Sequence, residues 1–204
     1  MLFDGPVEAP FTLALAHGAG APMDSAFLTS VARAIARRGY RVARFEFPYM
    51  RARRSGGRRG APDRESVLRQ SWLETIAALG GGDKLVIGGK SMGGRIATMV
   101  ADEAGVRGLA CLGYPFHPPG KPERLRTAHL AELRTPTLIV QGERDPFGTR
   151  EDVANYRLSP SIEVVWMAGG DHSFKPPARS GQTEAGNLEL AIAAVAGFLD
   201  RLSA

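Results

Sequence analysis

Three residue types that together can cleave an acyl bond occur along the chain in the order Ser91, Asp145, His172. A serine hydroxyl is a weak nucleophile, so an imidazole must accept its proton and a carboxylate must hold that imidazole in the correct tautomer. We therefore predict Ser91 as the nucleophile, His172 as general base and acid, and Asp145 as the orienting carboxylate. Asp171, the competing acid, is adjacent to the histidine and poorly placed to fix its tautomer.

Ser91 lies within Gly89–Gly93, a Gly-x-Ser-x-Gly motif. The apolar run Lys84–Gly88 before it predicts a buried strand, and the apolar positions after it predict a helix to about Ala104. A serine on such a strand–turn–helix unit is a nucleophile elbow, whose glycines let the backbones approach closely.

Each member also has a structural alternative. Ser91 could cap the following helix, Asp145 could begin a turn and His172 could be an ordinary loop residue. Their order along the chain and their positions after predicted strands favour the catalytic interpretation.

The tetrahedral intermediate of acyl transfer needs two preorganised donors for its oxyanion. The backbone N–H of Met92, at a helix N-terminus, is one. The second is expected from the loop after the first strand, from Ala19 with Gly20 as the alternative. His17, which opens this loop, is interpreted as a structural hydrogen-bonding residue and is kept as a candidate substrate contact.

Alternating elements must position these residues. Strands are predicted at Phe11–Ala16, Arg41–Phe47, Lys84–Gly88, Val106–Gly113, Pro136–Gln141 and Ile162–Met167, after an irregular start. Helices are predicted from a cap at Asp24 or Ser25 to Gly39, at Asp63–Leu79, after Ser91, at Glu151–Tyr156 and at Glu184–Leu202. Strands separated by helices or long loops predict a mostly parallel sheet of about six strands with helices on both faces. Ligands of such sheets bind beyond the carboxyl ends of the strands, where the candidate residues lie.

Four segments carry a family resemblance: His-Gly-Ala-Gly, Gly-Gly-Lys-Ser-Met-Gly-Gly-Arg, Gln-Gly-Glu-Arg-Asp-Pro-Phe-Gly and Asp-His-Ser-Phe. Together they resemble small lidless α/β-hydrolases related to dienelactone hydrolases. They look closest to the group of testis-expressed hydrolase-like proteins and a hydrolase-like domain of a chromatin acetyltransferase-complex subunit. The resemblance spans Phe11–Leu202 and implies an α/β-hydrolase fold with the predicted triad. Dienelactone hydrolases carry a cysteine where this chain has Ser91, which argues against a dienelactone substrate.

The spacing after the fourth predicted strand excludes a folded cap, since about 22 residues separate Gly113 from Pro136. An open site favours small or surface-presented acyl groups. Four side chains of the proline-rich segment are candidate rim contacts, those of Tyr114, Phe116, His117 and Lys121. For the aromatic residues, packing is the equal alternative.

Length, charge and composition limit which other functions the chain could have. A chain of 204 residues predicts a single domain over residues 1–204, and a net charge of +5 is too modest to favour nucleic acid. Without a signal-like or spanning segment, we expect a cytoplasmic protein with no membrane partner. Cys111, the single cysteine, excludes an internal disulfide and is interpreted as core. No metal or cofactor is predicted, and oligomeric state is not specified by the sequence.

Charged residues near the predicted catalytic edge suggest the substrate's charge. Five arginines fall within residues 51–59, and such a run is usually a solvated loop. Because this loop follows the second strand, Arg53 and Arg54 are proposed to contact an anionic substrate or partner. Lys90, immediately before the nucleophile, is expected to pair with Glu46.

The sequence therefore favours hydrolysis of a small carboxylic ester or thioester through an acyl-serine intermediate. An acyltransferase would use the same residues with another acceptor. A non-catalytic interaction module on a hydrolase scaffold is the third class, and retention of the whole triad argues against it.

Overall fold

A computed structural model describes residues 1–56 and 60–203 of the chain. Its sheet has seven strands in the order β1-β3-β2-β4-β5-β6-β7. The strands are β1 (Leu2–Asp4), β2 (Thr12–Ala16), β3 (Arg41–Phe45), β4 (Leu85–Lys90), β5 (Gly108–Leu112), β6 (Thr137–Gly142) and β7 (Ile162–Met167). Strands β2 to β7 pair in parallel, whereas β1 pairs antiparallel with β3. All six predicted strands are present, and β1 adds an edge where an irregular start was expected.

Helices flank the sheet and connect its strands. They are α1 (Ala26–Ala36), α2 (Pro48–Arg54), α3 (Glu65–Ala78), α4 (Met92–Thr98), α5 (Ala101–Ala104), α6 (Arg150–Val153) and α7 (Glu184–Ser203). Of the two predicted caps for α1, Ser25 is the one used, since its side chain accepts a bond from the Leu28 N–H at 3.4 Å. Capping by a serine oxygen satisfies an amide that the helix itself leaves free.

The region after the second predicted strand differs from the prediction. The second strand ends at Phe45 instead of Phe47 because Pro48, a residue suited to the first turn of a helix, begins α2. Residues 51–54, predicted as loop, are therefore helical, while Arg58 and Arg59 lie outside the described residues.

The helix after the elbow, predicted to continue to Ala104, divides into α4 and α5. The Thr98 hydroxyl donates to the Arg95 carbonyl at 2.7 Å, and the next amide, Met99 N–H, bonds the Ile96 carbonyl three residues back. Such local bonds tighten the last turn and end the regular helix.

Side chains alternate across each strand, so both faces of the sheet are buried. In β2, Leu13 and Leu15 pack with α1 and α7 on one face, while Ala14 and Ala16 face the core under α3 and α4. Trp72 of α3 is fully buried in this second core. Its indole N–H donates to the Gly93 carbonyl at 3.2 Å and so ties α3 to α4.

Residues 113–136, between β5 and β6, form an irregular segment with one short 3-10 helix, Ala128–Glu132. No folded cap occurs among residues 1–56 and 60–203. None of the helices in this described part of the chain combines the length and apolar character needed to cross a bilayer.

Two helical glycines test how closely α4 packs against the sheet. A Cβ at Gly93 would lie 2.6 Å from the Ala16 carbonyl oxygen, whereas a Cβ at Gly197 in α7 would meet nothing within 4 Å. We expect Gly93→Ala to lower the free energy of unfolding by about 1–3 kcal/mol through overpacking. The matched Gly197→Ala variant should raise it by up to about 1 kcal/mol through helix propensity. Urea denaturation measures both, and equal stability of the two variants would contradict this packing.

Candidate active site

Ser91 stands on a strained turn between β4 and α4. Its backbone φ of 51° lies in the left-handed region that non-glycine residues seldom adopt. Its amide donates to the Leu112 carbonyl at 3.0 Å, which anchors the turn to β5. Although Ser91 occupies the cap position of α4, its side chain makes no capping bond among the described residues. The hydroxyl bonds His172 instead, so the capping alternative is wrong.

The two glycines of the motif let this turn sit directly on the end of β2. A Cβ at Gly89, where φ is +142°, would lie 2.1 Å from the Ala16 carbonyl oxygen, and one at Gly93 would lie 2.6 Å from the same atom. No side chain fits at either position, so the motif needs glycine here for steric reasons.

The three predicted side chains meet at the carboxyl edge of the sheet. His172 Nε2 lies 2.9 Å from Ser91 Oγ, and His172 Nδ1 lies 2.7 Å from Asp145 Oδ2. Asp145 is completely buried, whereas the His172 side chain is 22% exposed. Asp171, the competing acid, accepts bonds from the Ser173 and Lys175 amides and so shapes the turn that carries His172.

Asp145 is held by a second buried polar residue, Gln141, which sequence analysis did not single out. The Gln141 amide donates to Asp145 Oδ2 at 2.9 Å, and its oxygen accepts from the Tyr114 N–H at 2.7 Å. The Phe147 N–H donates to the other oxygen, Asp145 Oδ1, at 2.8 Å. The available signal was a polar residue at the end of an apolar strand, because a buried amide must find partners.

His17 is buried and fixes the loop that follows β2. Its Nε2 accepts from the Phe47 N–H at 3.2 Å, so Nδ1 carries the proton and donates to the Gly18 carbonyl at 2.7 Å. Burial lowers the pKa of His17, which favours this neutral form. The structural interpretation of His17 thus agrees with its contacts, whereas the prediction that it contacts substrate is wrong because no part of it is exposed.

Tyr49, also missed by sequence analysis, holds the same loop from α2. Its hydroxyl lies 3.0 Å from the Ala19 carbonyl and 3.4 Å from the Gly18 carbonyl. In a planar trans peptide the N–H points opposite to the carbonyl. With both carbonyls directed at Tyr49 and His17, the N–H groups of Ala19 and Gly20 point away from that buried side.

Ser91 lies at the junction of two cavities of about 340 Å³ each. Ala19, Ser91 and Phe147 line both. One cavity is almost wholly apolar and extends to Phe27 and Leu28, whereas the other also includes charged side chains, those of Asp63, Glu65, Arg95 and Arg126. An ester bound at Ser91 therefore has a separate space for each of its two arms.

Across residues 1–56 and 60–203, no cluster of three or more His, Cys, Asp or Glu side chains is arranged to hold a metal ion.

Tyr114, Phe116 and His117 were predicted as rim contacts, which is wrong, while Lys121 is exposed and lines neither cavity at Ser91. Tyr114 and Phe116 are fully buried, with ring centroids 4.8 Å apart, and His117 is 4% exposed. Their aromatic rings fill the core below α4, since burying a ring recovers more free energy than leaving it at an open edge. Packing, the alternative weighed for this segment, is the correct description.

Arg53 and Arg54 do not line the cavities at Ser91, where substrate contact was predicted, and their contact with an anionic partner stays a prediction. Arg54 pairs with Glu46 at 2.6 Å and with Asp24 at 2.8 Å, so two carboxylates already balance its charge. The Arg53 guanidinium lies 5.1 Å from the Tyr49 ring centroid and donates to the Gly60 carbonyl. Because residues 51–54 belong to α2, their side chains face these partners, and neither arginine lines the cavities at Ser91.

Lys90 does not pair with Glu46. Its Nζ donates to the His172 carbonyl at 2.8 Å, beneath the catalytic edge and 5.8 Å from the Phe27 ring centroid. Burial lowers its pKa to about 8, although the negative charges of Asp145 and Asp171 partly oppose this. The bond ties the elbow directly to the loop that carries His172.

Cys111, in β5, is buried against α4 with its Sγ 3.6 Å from the Gly94 carbonyl. Burial raises its pKa to about 12. Because the thiolate is the nucleophilic form, this cysteine cannot replace Ser91.

A serine raised between two glycines at the carboxyl edge of a mostly parallel sheet defines the α/β-hydrolase class. A family model described as an alpha/beta hydrolase domain matches residues 9–200, and the chain belongs to this family.

Individual relatives are distant. ABHD14B of Rattus norvegicus, which is described as a candidate protein-lysine deacylase, is 27% identical to this chain over 164 residues. The aligned region covers 79% of this chain and 74% of that protein. An α/β serine hydrolase without a lid from Xanthomonas campestris aligns over 98% of this chain and 87% of its own, with a TM-score of 0.68 and 18% identity. Dienelactone hydrolase from Anabaena variabilis aligns over 98% and 89%, with a TM-score of 0.66 and 20% identity. These structures share the fold, and the predicted lidless α/β-hydrolase architecture is confirmed.

The partly desolvated ammonium of Lys90, with its lowered pKa, predicts a pH dependence of stability. The folded protein releases this proton near pH 8, whereas an unfolded chain releases it near the ordinary value of 10.5. Charged Lys90 therefore destabilises the fold below pH 8, and this penalty disappears as the pH rises toward 10.5. Relative to Lys90→Met, the wild type should gain up to about 1.4 kcal/mol per pH unit within this window.

Chemical denaturation between pH 7 and pH 10 measures this difference. Lys84→Met, which removes an exposed lysine just before β4, is the matched control and should show no such slope. A pH-independent difference between wild type and Lys90→Met would contradict the burial of a charged group.

Proposed function

We propose that this protein is a serine hydrolase that cleaves a small carboxylic ester or thioester through an acyl-serine intermediate. The observation that carries the proposal is the continuous chain of hydrogen bonds from Asp145 through His172 to Ser91, at 2.7 Å and 2.9 Å. Both distances allow proton transfer and orientation without rearrangement. Membership of the α/β hydrolase domain family supports the same chemistry.

The acylation half-reaction follows from the roles of these groups. Ser91 Oγ forms a bond to the acyl carbon while His172 Nε2 takes the hydroxyl proton, and Asp145 stabilises the resulting imidazolium. The oxyanion accepts bonds from the Met92 N–H and from the Ala19 N–H, with Gly20 as the alternative second donor. The intermediate then expels the alcohol or thiol, which receives the proton from His172.

Deacylation reverses these roles with water as the nucleophile. His172 removes a proton from the water while the water oxygen forms a bond to the acyl carbon. The same oxyanion donors stabilise the second tetrahedral intermediate. Returning the proton to Ser91 Oγ releases the carboxylic acid. If another hydroxyl replaced water, the same residues would transfer the acyl group, so product analysis with competing alcohols separates the two outcomes.

The size of the site supports small substrates. Each cavity beside Ser91 has a volume of about 340 Å³, near the lower end of the range for small-molecule sites. Short acyl and alcohol arms fit such spaces, whereas a long lipid chain would extend into solvent. The relation to the testis-expressed hydrolase-like group rests on the shared motifs and stays a prediction.

Labelling with a fluorophosphonate tests the nucleophile directly. We expect one stoichiometric adduct on Ser91, located by peptide mass spectrometry, and none in Ser91→Ala. Ser173→Ala is the control, since Ser173 lines the same cavity without contacting the imidazole, and it should label normally. Absence of an adduct in the folded wild type would favour an interaction module.

Asp145→Asn should lower kcat by about 10⁴-fold, because the variant favours the wrong tautomer of His172.

Removing the Tyr49 hydroxyl tests how the second oxyanion donor is positioned. Tyr49→Phe frees the Ala19 carbonyl and leaves the Gly18 carbonyl with only its bond from His17, so the neighbouring N–H groups should be oriented less firmly. We expect kcat to fall on the order of tenfold with KM nearly unchanged, since oxyanion donors act mainly in the transition state. Tyr156→Phe, which alters a partly buried tyrosine packed on Phe116, is the control and should leave kcat unchanged. A rise in KM at constant kcat would argue against this role.

A further inference from the structure

The charged cavity beside Ser91 contains an arginine whose charge is unbalanced. This cavity, here called the arginine cavity, is lined by Ser91, Met92, Glu65, Arg95, Arg126 and Asp63, among others. It is lined from α3, α4 and the segment after β5, and it shares Ala19, Ser91 and Phe147 with the apolar cavity. Its charged groups decide which substrate arm it would accept.

Both carboxylates of the arginine cavity already have partners. Glu65 accepts from both terminal nitrogens of Arg95, at 2.9 Å and 3.1 Å. Asp63 accepts from the Tyr49 N–H at 2.9 Å. The Arg95 charge is thus compensated by Glu65, and the Asp63 charge is directed at a backbone amide at the start of α2.

Arg126 differs from the other charged groups of the cavity. Among the residues that the structure describes, its guanidinium has neither a hydrogen bond nor an ion pair. Burial, and then the positive charge of Arg95, lowers the pKa of Arg126; Tyr114 partly opposes this effect, and the cation Arg124 adds to it. A half-buried cation without a counterion is costly, and an incoming anion would remove that cost.

The backbone of Arg126 is held in place from both sides. Its N–H donates to the Phe116 carbonyl at 2.8 Å, and its carbonyl accepts from the Tyr114 hydroxyl at 3.0 Å. Both partners are fully buried aromatic residues. The side chain therefore starts from a fixed point in the core, which reduces the entropy lost when it binds a ligand.

We propose that Arg126, with Arg95 beside it, binds a carboxylate carried by one arm of the substrate, so that the protein prefers monoanionic esters or thioesters. This specificity rests on the proposed hydrolase function. One uncompensated guanidinium matches a single negative charge, and its planar fork matches a carboxylate. The uncharged remainder of the substrate would extend from Ser91 into the apolar cavity.

Two matched pairs of esters test the preference, one for each arm. The acyl arm carries the charge in 4-nitrophenyl hydrogen glutarate and lacks it in 4-nitrophenyl valerate. The alcohol arm carries it in 4-carboxyphenyl acetate and lacks it in 4-methylphenyl acetate. The measured quantity is the ratio of kcat/KM for the charged and neutral members, compared between variants so that intrinsic reactivity cancels.

Arg126→Gln should lower this ratio by about 10- to 100-fold for at least one pair, because a charge-assisted bond is lost. Arg124→Gln, which changes an exposed arginine two residues away, should lower it less than twofold. Arg126→Lys should keep part of the preference. An equal loss for charged and neutral members, or unchanged ratios for both pairs, would overturn the proposal.

A binding measurement separates failure of this proposal from failure of the hydrolase function. Ser91→Ala protein, which lacks the nucleophile, is titrated with monomethyl glutarate and with dimethyl glutarate and followed by NMR. The monoanion should bind about tenfold more tightly, and the Ser91→Ala/Arg126→Gln double variant should lose this difference. Equal binding of the two esters overturns the anion site, whatever the activity of the wild type.

Discussion

The candidate site depends on one close approach between backbones, that of the elbow to the end of β2. Ala16 pairs with Gly89 in the sheet, and the Ala16 carbonyl also lies against Gly93 in α4. The loop with the candidate second oxyanion donor begins directly after Ala16. A single strand pairing therefore fixes the nucleophile relative to that loop, which explains why small residues are needed on both sides of Ser91.

Buried polar side chains extend this rigidity to the loops around the elbow. His17 joins β2 to the start of α2, Gln141 joins β6 to the Asp145 loop, and Lys90 joins the elbow to the His172 loop. Each would be costly without partners, yet each bonds a backbone carbonyl or amide, or a carboxylate, of a neighbouring loop. The loops of the site are thus held by the core beneath them.

The sequence was informative where a local pattern decides the structure. Buried parallel strands appear as apolar runs, and the chemistry-bearing residues follow them directly, so the sheet and the meeting of Ser91, Asp145 and His172 were predictable. Strand β1 was missed because three partly exposed residues at Leu2–Asp4 carry too short a pattern.

Other features depend on contacts distant in the chain. An aromatic segment with prolines has the same sequence pattern whether it lines a rim or fills a core, which is why Tyr114 and Phe116 were misplaced. The direction of a long side chain is likewise not a local property, and Lys90 bonds the His172 loop instead of Glu46. The roles of Tyr49 and Gln141 were not predicted, because both side chains bond backbone groups of other loops.

The density of arginines along the chain is a poor guide to where an anion binds. Arg54 belongs to the densest basic run of the chain, yet Glu46 and Asp24 neutralise it. Arg126 lies outside that run, and within the described part of the chain its guanidinium has no carboxylate partner. The field that a substrate meets depends on which cations lack a counterion within a few ångströms, because paired charges largely cancel at greater distance. Pairing in three dimensions, and not the count of basic residues, therefore determines where an anion would bind.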